Sequence, residues 1–222
     1  MTNPFRPARY EDSLVNDELR DFHVRWLEIK ASDVDAFESR LATAEKETEI
    51  QQFLEKHPVL LIQHLGGGHG RWVIPRKRLG SEHVTDFVIG DRDSVGFEWV
   101  AVELESPKAP LFNQNGDPSA KLNHAIRQIT DWRSWLKKNQ TYAARPPSES
   151  GLGLTDIDPN LDGLILIGRR SRSDKRTNGR RREMATTLRI RIHTYDWLIE
   201  KASGRLSKRQ KAIIHEGKTD EQ

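Results

Sequence analysis

The chain of 222 residues sets 36 Lys and Arg against 33 Asp and Glu, for a net charge of +3, and holds no cysteine. An apolar fraction of 35% beside a charged fraction of 31% allows one ordinary core, so one domain with extensions is expected. The missing cysteines exclude disulfides, zinc–thiolate centres and thiol nucleophiles. Residues Met1 to Phe5 lack an apolar signal region, and no run of about 18 apolar residues follows. A cytoplasmic protein with no membrane partner is the expectation.

In chain order, residues 1–10 carry two prolines and read as irregular. Residues 12–31 place Leu14, Leu19, Phe22, Trp26 and Leu27 at helical spacing. Ser32 and Asp35 form a start signal for a second helix, with Ala36, Phe37, Leu41 and Ala44 as its apolar stripe. Residues 1–44 therefore read as a helical extension that packs on the core or forms a subunit contact, and a homo-oligomer is one expectation. Residues 46–56 predict a third helix, with Ile50, Phe53 and Leu54 inward and Pro58 as its stop. Glu47 and Glu49 lie on opposite flanks of that stripe. The stretch His64 to Gly70 is glycine-rich, but it runs into a strand candidate at 71–78 rather than a helix. It reads as a hairpin connection and not as a phosphate cradle.

Two strands follow, at 84–89 and 99–105, with a turn at Gly90-Asp91-Arg92-Asp93. Alternation puts Thr85, Phe87 and Ile89 on one face of the first and turns Asp86 the other way. On the second, Val100, Val102 and Leu104 form the apolar face, and Glu103 and Glu105 share the opposite one, about 7 Å apart. Acids in strands are costly to bury unless paired, and three converging carboxylates suggest a hard divalent cation such as magnesium. A long helix over 119–138 has the stripe Leu122, Ala125, Ile126, Ile129, Trp132 and Leu136, with Lys121 and Gln128 on one edge of it. Residues 139–160 read as a loop and 161–168 as a buried strand. Residues 169–182 contain eight Lys or Arg against one acid, a composition that binds polyanions. Residues 188–193 alternate as a last strand, 195–202 start a closing helix, and 204–222 read as a frayed charged tail.

An acid, a short gap and then acid-x-Lys at a strand end resembles the PD-(D/E)XK nuclease superfamily. Here the acid is Asp86 and the second motif is Glu103-Leu104-Glu105. The helix Glu47 to Leu54 running into His57-Pro58, the helix bearing Gln128, the strand ending Ile167-Gly168-Arg169-Arg170, and Thr194-Tyr195-Asp196-Trp197-Leu198 narrow the likeness. Together they resemble the nuclease domain of Shedu-type anti-phage defence proteins over residues 45–200. The resemblance implies a restriction-endonuclease-like α/β fold, a mixed sheet flanked by helices, occupying residues 45–202 between the extension and the tail. It also implies a DNA endonuclease that uses Mg²⁺, with Mn²⁺ as an alternative ion. Asp86 and Glu103 would hold the metal. Glu105 would join the catalytic set, as would Gln128 and one acid of the early helix, Glu47 best and Glu49 second.

Glu105 departs from the pattern, because it stands where the superfamily has lysine. Lys108, Lys121 and Gln128 are candidates for the missing role. Arg169, Arg170, Arg180, Arg181 and Arg182 of the basic run are the expected DNA contacts. A nuclease-fold binding module without metal chemistry, or a repair or restriction nuclease, is the alternative. A glycosidase reading is weaker, because it needs two acids across a sugar cleft.

Overall fold

The computed structural model describes residues 19–66, 69–172 and 177–219. Its strands are β1 (Gly70–Pro75), β2 (Arg78–Leu79), β3 (His83–Val84), β4 (Phe87–Arg92), β5 (Phe97–Leu104), β6 (Asp162–Leu166) and β7 (Ile190–His193). Five of them form the central sheet in the order β1-β4-β5-β6-β7, with a two-stranded ribbon, β2-β3, beside it. The first three sheet strands form an antiparallel meander, while β6 pairs parallel with β5, and β7 parallel with β6. Parallel neighbours need long crossovers, and helices supply them. The first crossover carries α3 (Ala120–Ala144) and the second α4 (Asn178–Leu188). The other helices are α1 (Ala31–Thr43), α2 (Glu47–Lys56) and α5 (Asp196–Thr219).

Alternation along the strands divides the core into two layers. One face sends Trp72, Val88, Ala101, Ile165 and Ile192 against the α3 stripe of Leu122, Ala125, Ile129 and Trp132. The other sends Val73, Phe87, Val100, Val102, Leu104 and Leu166 against Phe37 of α1, Ile50 and Leu54 of α2, and Leu198 and Ala202 of α5. Glu103 lies on the α3 side, between Ala101 and the sheet's end, as the alternation of β5 requires.

Several elements differ from the sequence expectation. Within residues 19–31 there is no long helix, only 3₁₀ turns at Arg20–Phe22 and Trp26–Glu28. Between them His23 bridges to Trp72, and the Val24 amide donates to the Arg71 carbonyl (2.8 Å), so pairing along the edge strand β1 overrides the helical period. The predicted residues before 19 lie outside the described ones. Helix α1 begins at Ala31 with Lys30 as its cap, two residues before the predicted cap Ser32, because the Asp33 carboxylate accepts the Lys30 amide at 2.9 Å. Strand β4 continues through Gly90 to Arg92, and the turn falls at Asp93 to Gly96, where Asp93 Oδ1 accepts the Val95 amide at 2.7 Å. Helix α3 runs on to Ala144 through a non-helical Asn139, which shortens the predicted loop. Part of the basic run is the helix α4, and residues 173–176 lie outside the described ones.

The tail, expected to fray from Gly204, instead continues α5 to Thr219. Its arginines hold it to the early part of the chain. Arg205 lies 4.1 Å from the Trp26 ring centroid, and Arg71 lies 5.5 Å from it. Arg205 Nη2 donates to the Leu65 carbonyl at 2.8 Å, and Arg209 Nη1 to the Leu27 carbonyl at 2.7 Å. Among the described residues no helix is long and apolar enough to cross a membrane.

Candidate active site

The predicted strand 84–89 is broken at its centre, and that break makes the site. Val84 belongs to the ribbon, whereas Phe87 opens β4, and Asp86 sits between them. Its backbone carbonyl accepts the Arg76 amide at 2.9 Å. Its side-chain Oδ2 accepts the Leu104 amide at 2.8 Å, so a carboxylate replaces a rung of the β4–β5 ladder. Asp86 is thereby fixed against the end of β5, beside Glu103.

Glu103 is 3% exposed and points toward α3, where Gln128 Nε2 donates to its Oε1. Glu105, two residues on, shares that face and is equally buried. Its amide donates to the Leu166 carbonyl at 2.9 Å, and its own carbonyl accepts the buried Tyr195 hydroxyl at 2.8 Å. The backbone at Glu105 is therefore clamped between β6 and the start of α5. Its carboxylate meets two more side chains of α3: His124 Nδ1 lies 3.0 Å from Oε1, and Lys121 Nζ lies 3.1 Å from Oε2. Oε2 is fully enclosed and lacks an oriented hydrogen bond, so its contact with Lys121 is an ion pair rather than a directed bond.

Glu47 joins from α2. Ile50, Gln51 and Leu54 form the buried stripe of that helix, and Glu47 lies one turn N-terminal to Ile50 on the same side. It hydrogen-bonds Glu105. Glu49 does not join. It accepts the Lys46 amide at 3.0 Å and the Glu45 amide at 3.1 Å and lies 3.7 Å from Arg40, so it serves as a helix cap. The two acids are about 200° apart around the helix, and only one can face inward.

Burial and crowding move the protons of Glu103, Glu47 and Asp86. Burial, then the charges of Asp86, Glu47 and Glu105, push the Glu103 carboxyl up to about 10. Burial followed by Asp86 and Glu105 raises Glu47 to about 7. Burial also raises Asp86 to about 6, against the lowering effect of the Leu104 amide. A hydrogen bond between Asp86 and Glu103 lowers the former and raises the latter, so the shared proton resides on Glu103. Lys121 is held above its usual range by its close pairing with Glu105. Tyr195 is pushed well up by complete burial and the nearby acids, so it remains a neutral donor.

Sequence reasoning named Glu47, Asp86, Glu103, Glu105 and Gln128, and the fold gathers all five. Of the three candidates for the missing lysine role, Lys108 turns to Glu45 instead, while Lys121 and Gln128 enter the site. His124 was missed, although its signal was present: positions 121, 124 and 128 follow one helix edge. No role for the Tyr195 hydroxyl was legible. Among the described residues, no three carboxylate or imidazole groups already surround one point in ligating geometry.

The arginines expected on DNA are mostly engaged within the chain. Arg169 pairs with Asp196 at 2.9 Å, Arg170 with Glu200, and Arg180 with Asp117 at 3.1 Å. Arg181 donates twice to the Ile192 carbonyl, at 3.1 and 2.6 Å, while Arg182 is exposed.

The family model described as Shedu protein SduA, C-terminal, matches residues 44–199, a span that contains every acid of the cluster and its partners on α3. No curated protein matches the chain significantly.

Proposed function

From the premise that this chain belongs to the Shedu protein SduA C-terminal family, we propose that it is a metal-dependent DNA endonuclease. The proposed fold type is PD-(D/E)XK, restriction-endonuclease-like, and the proposed role is defence against phage or foreign DNA. The observation that carries the reading is the convergence of Glu47, Asp86, Glu103 and Glu105 beside Lys121 and Gln128.

The donor set fits a hard divalent cation. All four acids offer oxygen, the ligand that Mg²⁺ and Mn²⁺ take. Burial and mutual repulsion hold three of them above the usual carboxylate range, a penalty that a bound cation removes. The enclosed Oε2 of Glu105 has a lone pair without a directed donor. Asp86 and Glu103 would hold the ion, with Glu105 and Glu47 next to it. Such an ion supplies Lewis acidity toward a phosphate oxygen and a hydroxide near neutral pH.

The chain's own residues do the rest. Gln128 orients Glu103 through the amide bond, and the Leu104 amide orients Asp86. Tyr195 fixes the backbone from which Glu105 projects. Lys121, more than half exposed while touching a buried carboxylate, presents a positive charge where phosphate charge builds. This is the role that the departure at Glu105 leaves open.

Incubation with plasmid DNA, with and without Mg²⁺ or Mn²⁺, tests the proposal. Metal-dependent nicking that disappears in Asp86→Ala and Glu103→Ala, each with a normal circular dichroism spectrum, is the expected result. Wild-type nicking by both variants would reject the site. DNA binding without cleavage under any metal would favour the binding-module reading, which the glutamate at position 105 also favours.

A further inference from the structure

Strand β7 is an edge of the sheet, and α4 packs along it. Between them lies a cleft of about 290 Å³ lined by Asn178, Arg181, Arg182, Arg191 and His193. None of these side chains touches the carboxylate cluster. Arg191 and His193 alternate to the same face of β7, opposite to Ile192. Arg181 is fixed by its bonds to the Ile192 carbonyl and by Asn178 Oδ1 at 3.2 Å. A guanidinium has five N–H donors, so Arg181 is anchored with donor capacity left over.

Arg191 Nε is buried, and among the described residues it has no hydrogen-bond partner. A donor enclosed without an acceptor is costly. Among the described residues, Asp196 pairs with Arg169 and Glu200 with Arg170. His193 stacks on Trp197, with centroids 4.0 Å apart and planes 7° from parallel. Burial, then Arg181, Arg191 and Lys201, hold His193 down at about 4, and burial with Arg191 and His193 holds His64 at about 3. Both rings are thus neutral near pH 7, and Arg191 and Lys201 act on each of them.

We propose that this cleft binds a backbone phosphate of duplex DNA, with Arg182 and Arg191 as the donors and Arg181 as their fixed neighbour. The identity of the polyanion rests on the DNA reading above; the anion site itself rests on the cleft. Strand register supports the placement. His193 pairs with Leu166, and Leu166 with Leu104, so the cleft lies level with the Glu103–Glu105 end of β5 and two strands across, about 10 Å in the plane of the sheet, with Arg191 and His193 on the face opposite to Glu103. The cleft would hold the duplex at this end of the sheet, where the carboxylates address another phosphodiester.

The test is fluorescence anisotropy of labelled duplex DNA in chelator, across a salt series, for wild type, Arg182→Gln and Arg191→Gln. Each variant should lose roughly tenfold in affinity, alike on unrelated sequences, and flatten the log–log salt slope by about 0.9 per lost contact. Arg182 is exposed, so its variant reports even if Arg191→Gln melts early. Unchanged slopes in both variants would overturn the site. His193 ring resonances that shift with inorganic phosphate or a mononucleotide but not with DNA would keep the anion site and overturn duplex DNA as its occupant. Because no metal is present, failure of cleavage leaves this result readable: slopes that flatten in a chain that never nicks DNA would retain the cleft and reject the nuclease.

Discussion

Asp86→Asn should stabilise the metal-free protein while abolishing its cleavage. Burial raises the Asp86 carboxyl from 3.8 to about 6, and Leu104 donates its amide to Oδ2 at 2.8 Å. A raised folded-state pKa means that the native state holds the proton more tightly than the unfolded chain. The stabilisation is complete below about pH 3.8 and is lost as pH rises through about 6. The loss at pH 8 corresponds to about 3 kcal/mol for this group. An asparagine keeps an oxygen for the Leu104 amide and never ionises; its Nδ2 can donate to Glu103 in place of the shared proton. The two proteins should therefore melt together near pH 4 and separate above pH 6. For a chain of this size, about 3 kcal/mol is about 6–12 °C in Tm. The assay is circular dichroism melting in chelator from pH 4 to 8, repeated with Mg²⁺. The added ion should raise the wild-type Tm above pH 6 and leave the variant unmoved. A variant less stable than wild type at pH 8, or a difference that ignores pH, would refute this account of the carboxylate cluster.

The early helix offers a paired control: Glu47→Gln should lower nicking at least tenfold, whereas Glu49→Gln should retain both nicking and the melt, since a glutamine oxygen still accepts the Lys46 and Glu45 amides, both read from initial rates and melts. Tyr195→Phe removes one buried hydrogen bond to the Glu105 carbonyl; urea titration should show a loss of about 1 kcal/mol, and manganese calorimetry a weakened ion. An unchanged affinity for manganese would confine Tyr195 to stability. Glu105→Lys would place a buried cation beside Lys121 and His124, so a loss of about 3–5 kcal/mol and no cleavage are expected. Gain of nicking in that variant would instead mark Glu105 as a relic of the usual lysine.

Alternation along β5 was enough to place Glu103 and Glu105 together, because a period of two survives any packing that buries one face. The α3 stripe was legible for the same reason at a period of 3.6. Asp86 was found, but its setting was not: periodicity carries no record of a side chain replacing a backbone rung, as Asp86 does at Leu104. Helical spacing misled over residues 19–31, since His23 and Val24 are recruited by the open edge of β1, a long-range event. The continuation of α5 was hidden because Arg205 and Arg209 read as solvated charges, while the Arg205 guanidinium lies over Trp26 and both donate to early carbonyls. Glu47 and Glu49 could be ranked but not separated by spacing; burial of the Ile50 and Leu54 stripe decided between them.

The hold of Arg205 and Arg209 on Leu65 and Leu27 also bears on how the protein comes into being. Those partners are separated by 140 and 182 positions, so the clasp closes only after Arg205 and Arg209 have left the ribosome. Before residues 190–202 emerge, one core layer lacks Leu198 and Ala202, and the sheet lacks its last parallel strand. Contacts of such long sequence separation must overcome loop-closure entropy before they contribute, so folding is expected to be slow and to finish from the C-terminal end. A nascent chain halted early would expose Phe37, Leu60 and Val102 together, a surface that chaperones recognise.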